Sequence, residues 1–130
     1  MTQIPQQLKY TEDHEWVRAE ADGSVVIGIT DHAQHQLGEL VYVELPDAGR
    51  TVTRGDAMAV VESTKAASDV YAPLAGVIVQ GNPALAGQPE LVNTDPYGEG
   101  WLVRLRPADA AALAALLDSA AYAQLLAAED

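Results

Sequence analysis

The sequence predicts a mainly β fold, with two similar half-units closed over each other as a flattened barrel or sandwich and a short helical tail. Three observations predict it. Up to about position 106, short apolar segments alternate with turn signals. Gly55 stands ten residues before Lys65 and Gly76 eleven after it, so turn glycines flank one hairpin tip almost symmetrically. From Pro107 the chain becomes alanine- and leucine-rich, with its larger apolar residues at helical spacing.

Taken in order, Trp16, Val17 and Arg18 form the first strand candidate, and the turn after it contains Asp22-Gly23, a pair that favours a tight reversal. Val25–Ile29 reads as a buried strand. Thr30 or Asp31 offers a helix cap and Gly38 a stop, which predicts a short helix over 31–37. Glu39–Leu45 alternates as a strand, and Pro46–Gly49 supplies the next turn. Met58–Glu62 and Asp69–Ala72 are the arms of a hairpin with Lys65 between them. A loop over 82–100 follows, then a strand at Trp101–Leu105. In the tail, Leu113, Leu116, Leu117, Tyr122, Leu125 and Leu126 mark one helical face, and Ser119 is placed to cap a second segment, so two short helices are expected. The expectation is one domain over 1–130, with its core at about 8–106 and a helical appendage at about 107–128.

A chain of 130 residues can bury a core without disulfides. It carries 19 Asp and Glu against 7 Lys and Arg, a net charge of -12. Nucleic acids and anionic membranes are bound through excess Lys and Arg, so neither is an expected partner. A cationic group or a basic patch on another protein suits this field. The absence of cysteine removes disulfides, iron–sulfur clusters, thiolate zinc sites and cysteine nucleophiles together. The opening residues lack the basic and apolar regions of a secretory signal, and Ala110–Leu117 is too short to span a bilayer. A cytoplasmic location is the expectation.

Chemistry concentrates in the octet Glu62, Ser63, Thr64, Lys65, Ala66, Ala67, Ser68 and Asp69. Lys65 is one of only two lysines, and it sits in the most strand-like region with a carboxylate on each side. The plain reading is a solvated turn lysine. A Schiff-base lysine needs a desolvated pocket to lower its pKa, whereas Glu62 and Asp69 favour the protonated form. A lysine acylated by a cofactor needs exposure on a rigid support, which a tight β-turn provides, and its small neighbours leave room for a modifying enzyme. Elsewhere, His14-Glu15-Trp16 fails the H-E-x-x-H zinc motif because Arg18 stands at the last position. His32 and His35 fall on one side of a helical turn, but with no cysteine and no evident third ligand no metal is expected. No nucleophile–base–orienter triad stands out, so the chain does not read as an enzyme. Glu12, Asp13 and Glu15 form an acidic cluster that matters only if the fold carries it towards Lys65.

The segment "VVESTKAASDVYAPLAG" closely resembles the lipoyl-attachment motif of the glycine cleavage H proteins. "YTEDHEW", "VIGITDHAQHQLGELVYVELPDAG" and "ELVNTDPYGEGW" resemble that family's other segments in the same order, from about Leu8 to the last helix. Thr64 stands where the family commonly has valine, and "VQGNPALAGQ" is less acidic than its usual counterpart. The resemblance implies a barrel-sandwich hybrid of two quasi-symmetric sheets and lipoic acid in amide linkage on Lys65. It also implies a shuttle. Glycine decarboxylase, a pyridoxal-phosphate enzyme, leaves an aminomethyl group on the lipoyl sulfur. A tetrahydrofolate-dependent aminomethyltransferase removes the carbon, dihydrolipoamide dehydrogenase reoxidises the dithiol, and lipoylating enzymes attach the group. Acylation removes the ammonium charge, so the net charge of -12 becomes more negative by one. The extended arm reaches on the order of 14 Å from Cα, which confines it at roughly millimolar effective concentration near a docked partner. Asp13, Glu15 and Asp69 are then candidates to hold the cationic cargo. A shuttle visiting several partners is most simply a monomer. The competing readings are a lipoyl or biotinyl carrier domain of another complex, an unmodified β interaction domain, and, weakest, a lysine-based enzyme.

Overall fold

A computed structural model describes residues 3–129 as nine strands in two antiparallel sheets. Strands β1 (Lys9–Tyr10), β2 (Glu15–Ala19), β3 (Val25–Ile29), β5 (Thr51–Val52), β8 (Gly76–Gly81) and β9 (Val103–Pro107) form the larger sheet, in the order β1-β2-β3-β9-β8-β5. Strands β4 (Leu40–Glu44), β6 (Ala57–Ser63) and β7 (Ala67–Tyr71) form the smaller, in the order β4-β6-β7. This is the two-sheet sandwich that the sequence predicts, with one face of each sheet turned onto a common core.

Period-two alternation decides which residues enter that core. Val17, Val25, Ile27 and Ile29 point inward from the large sheet and meet Leu40, Val43, Val61 and Val70 of the small one. The intervening Trp16 and Val26 point to the opposite face, where Leu8, Tyr10 and Tyr122 cover them. Strand β3 is therefore buried on both faces, which explains its unbroken apolar run. Gly28 pairs with Trp16 across the β2–β3 ladder because the indole lies over it, at 2.6 Å from where a Cβ would stand.

Helix α1 (Asp31–Leu37) follows the prediction. Thr30 is its cap, accepting from the Ala33 N–H, and Gly38 ends it at a φ of 84°. The loop over 82–100 contains two short helical turns, a 3-10 turn at Pro83–Ala86 and α2 (Leu91–Thr94). Asn82 caps the first with proline just inside it, a local signal available in the sequence. The last strand starts at Val103 and not at Trp101, because Trp101 packs into the outer cluster.

The tail departs from a single helical face. A 3-10 turn at Ala110–Ala115 directs Leu113 and Leu116 onto the main core, while Leu117 and α3 (Ser119–Glu129) direct Leu117, Tyr122, Leu125 and Leu126 onto the outer cluster. Reciprocal backbone bonds between Tyr10 and Leu117, 2.8 and 2.9 Å long, fix the crossing. Asp118, and not Ser119, caps α3 by accepting from the Ala121 N–H at 2.8 Å. Among the described residues no helix is long and apolar enough to cross a membrane.

Candidate functional site

The β6–β7 hairpin carries Lys65 at its tip. Glu62 pairs with Ala67, Val61 with Ser68 and Val60 with Asp69, so only Ser63–Ala66 remains to make the turn. The Ser63 N–H donates to the Ala66 carbonyl at 2.8 Å. The Ser63 hydroxyl oxygen accepts from the N–H groups of Lys65 and Ala66, at 3.3 and 3.1 Å. One side chain thus supplies the acceptor that the reversed backbone lacks, which stiffens the tip. Thr64, Lys65, Ala66, Ala67, Ser68 and Asp69 are all exposed, while Glu62 and Ser63 are half-buried. Among the described residues Lys65 has no ion-pair partner. An exposed, unpaired amine on a tied turn fits a covalently attached group.

The lysine stem runs past the end of α1. Its Cε lies 3.3 Å from where a Cβ on Gly38 would stand, so glycine there serves both the left-handed φ and the path of the stem. The residues just before Gly38, Gln36 and Leu37, help line a cavity of about 150 Å³. Asp13, Glu15, Ser68 and Asp69 give that cavity its polar wall, and Ile29, Val61 and Val70 its apolar one. The fold therefore brings Asp13, Glu15 and Asp69 together beside the lysine-bearing hairpin. Glu12, the remaining member of the acidic cluster, does not line this cavity; it lies on a second concavity with Arg54 and Gly55, which Asp13 and Glu15 also border.

Glu15 is the unusual member. It is 2% exposed, on a strand whose neighbours are core residues. Its Oε2 accepts from the Tyr71 N–H at 2.8 Å and its Oε1 from the Thr11 hydroxyl at 3.0 Å. Burial outweighs both bonds and, with Asp13 nearby, pushes the carboxyl up from 4.5 to about 7. Such a group is poised between its charged and neutral forms near neutral pH. Thr11 also accepts from the N–H groups of Asp13 and Glu15, at 3.3 and 3.2 Å, and so shapes the turn that presents both acids.

The sequence reading misses Thr11 and the Tyr71 amide. Thr11 carries a local signal, a hydroxyl just ahead of a charged turn. The Tyr71 amide carries none. The histidine pair weighed from sequence is also parted by the fold: His35 is exposed beside Asp31, at 3.5 Å, while His32 turns towards His14.

A family model described as "Glycine cleavage H-protein" matches residues 8–129. A "Glycine cleavage system H protein" of Halorhodospira halophila is 62% identical over 129 residues, covering 99% of each chain. Another, from Enterobacter sp. strain 638, is 57% identical over 126 residues, covering 97% of this chain and 98% of its own. The crystal structure of a glycine cleavage system H protein from Mycobacterium marinum superposes with a TM-score of 0.85 at 42% identity, over 95% of this chain and 99% of that one.

Proposed function

The chain belongs to the glycine cleavage H-protein family, and from that premise we propose that Lys65 is the attachment post for a lipoyl group through which one carrier domain serves the glycine cleavage system. The observation that carries the assignment is the exposed, unpaired Lys65 on a turn tied by Ser63, beside a cavity walled by Asp13, Glu15 and Asp69. When attached, a lipoyl group supplies the disulfide–dithiol couple and the sulfur that accepts a carbon unit. The protein's own part is mechanical and electrostatic.

The Ser63 turn keeps the post outside the sandwich, where lipoylating enzymes and each partner can reach it. Glu62 and Asp69 flank the post, and the run of small residues Ala66, Ala67 and Ser68 keeps the approach open. Between visits, Asp13, Glu15 and Asp69, on the polar wall of the cavity, would hold the ammonium of the aminomethyl cargo, and Ile29, Val61 and Val70, on its apolar wall, would exclude water from its carbon. The partners are glycine decarboxylase, the aminomethyltransferase and dihydrolipoamide dehydrogenase. The chain catalyses none of these steps itself and works as a cytoplasmic monomer.

Intact-mass measurement of protein made in a lipoate-replete host tests the attachment. One lipoyl increment that disappears in Lys65→Arg supports it. A wild-type mass that stays unmodified, or an increment that survives the substitution, overturns it.

A further inference from the structure

His14, on the turn before β2, has a φ of 67°, the one positive φ among the described non-glycine residues. Side chains rarely adopt this backbone, and such strain persists where the surroundings impose it, often at ligand sites. Its N–H donates to the Thr11 carbonyl at 3.2 Å and its own carbonyl accepts from the Thr30 N–H at 3.0 Å, which locks the conformation. The strained backbone delivers the imidazole to a cluster formed by three distant segments. His14 Nε2 lies 3.4 Å from Glu129 Oε1 near the end of α3, and His32 Nε2 of α1 lies 3.8 Å from the same oxygen. The ligand atoms of His14, His32 and Glu129 all fall within 4.8 Å of one another. His32 Nε2 is buried without a hydrogen-bond partner, an orphan that native structures rarely tolerate.

We infer that His14, His32 and Glu129 form a binding site for one divalent first-row transition-metal ion such as Zn²⁺. Two imidazoles and a carboxylate, with a fourth position left to water, make a borderline donor set that such ions take and that Mg²⁺ and Ca²⁺ do not. In a tetrahedral N/O site the donor atoms stand about 3.3 Å apart. Glu129 Oε1 already stands near that distance from both imidazoles, so closing the cluster asks chiefly for the two histidine rings to approach each other. The surroundings already orient a ligand. His14 Nδ1 lies 2.8 Å from the Tyr122 hydroxyl, which in turn lies 2.8 Å from Thr30 Oγ1. With Nδ1–H donated to Tyr122 and the Tyr122 hydroxyl donated to Thr30, His14 Nε2 is left with a free lone pair aimed at the cluster. A bound ion ties α3 to α1 and to the turn that carries Asp13 and Glu15, and so braces one wall of the acidic cavity.

Zn²⁺ titration of the untagged, chelator-treated full chain in excess Mg²⁺ tests the site by calorimetry and by melting temperature. The expected result is one Zn²⁺ per chain and a raised melting point. His32→Ala and Glu129→Gln each weaken binding by roughly tenfold or more, while His35→Ala and Asp69→Ala leave it within about twofold. Co²⁺ in place of Zn²⁺ gives the visible absorption of a tetrahedral site. Glu129 is exposed on the last turn of α3, so Glu129→Gln stays informative even where His32→Ala fails to fold. Binding that survives Glu129→Gln, that vanishes with His35→Ala or Asp69→Ala, or that Mg²⁺ displaces overturns the proposal.

Discussion

Replacing Glu15 by glutamine removes a charge from the acidic cavity while keeping the shape of the side chain, and the structure sets the sign and size of the effect. In the fold the carboxyl is raised from 4.5 to about 7, chiefly by burial. Below the unfolded value both states are protonated, and Glu15 costs the fold nothing. As pH rises from 4.5 towards 7, the unfolded chain ionises first, and the folded state loses about 1.4 kcal/mol per pH unit relative to it. The loss ends once the folded carboxyl has ionised as well, at about 3 kcal/mol, or roughly 10 °C in melting temperature for a chain of this size. Glutamine has no such titration. It keeps an acceptor for the Tyr71 N–H but turns its amide NH2 donor towards the Thr11 hydroxyl oxygen, which already accepts from two backbone N–H groups. That mismatch costs about 1 kcal/mol at every pH.

The two stability curves therefore cross. At pH 4.5 wild type melts above Glu15→Gln, and at pH 8 below it, as read by scanning calorimetry or dye-monitored melting at fixed ionic strength. The variant cancels the background effect of the net charge of -12, which acts on both chains alike. A wild-type minus variant difference that stays constant from pH 4.5 to 8 would refute the claim that Glu15 is buried with a displaced titration.

Lys65→Arg is expected to melt within about 2 °C of wild type while carrying no lipoyl increment, since an exposed turn substitution perturbs stability little; a large drop would contradict the exposed tip. In loaded protein, Asp69→Ala and Glu15→Ala are expected to speed the release of formaldehyde and ammonia several-fold, by exposing the cargo to water and removing its counter-charge; unchanged release would remove the sheltering role. Gly38→Ala is expected to lose about 1–2 kcal/mol in urea unfolding, because alanine must adopt a φ of 84° and its Cβ would stand 3.3 Å from the Lys65 stem; a neutral result would contradict the left-handed helix end.

The legible parts of this molecule are those whose cause is local. The β6–β7 hairpin, α1 with its Thr30 cap and Gly38 stop, and the doubly buried β3 each follow from residues within a few positions of one another. The octet around Lys65 is legible for the same reason, as its exposure follows from a turn built by Ser63 alone. The burial of Glu15 is not local. In the sequence it belongs to an acidic run that reads as solvated, and only the docking of the small sheet places the Tyr71 amide, 56 positions away, against its oxygen. The tail misleads for a related reason. A 3-10 turn advances the chain by a different angle per residue than an α-helix, so leucines that share one face on paper are divided between two clusters. The histidines follow suit: spacing pairs His32 with His35, whereas the fold pairs His32 with His14.

If Glu15 meets the cargo as proposed, its placement resolves a conflict built into a carrier's task. A carboxylate facing water would attract a cationic cargo by no more than about 1 kcal/mol, too little to hold it away from solvent. Several fully ionised carboxylates in a dry cavity would bind the cation so strongly that the arm could not leave for its next partner. Glu15 at 2% exposure, poised at about 7, lies between these limits. In the proposed role, an entering cation would draw the carboxyl into its charged form and release a proton, so part of the attraction would offset the cost of ionising Glu15 inside the protein. What remains would hold the cargo yet stay small enough for a partner's active site to compete with. Proton release on loading follows directly. Loading at pH 6.5 in weak buffer should free a fraction of a proton per chain in wild type beyond that in Glu15→Gln, and equal release from the two would show that the cation never meets this carboxylate.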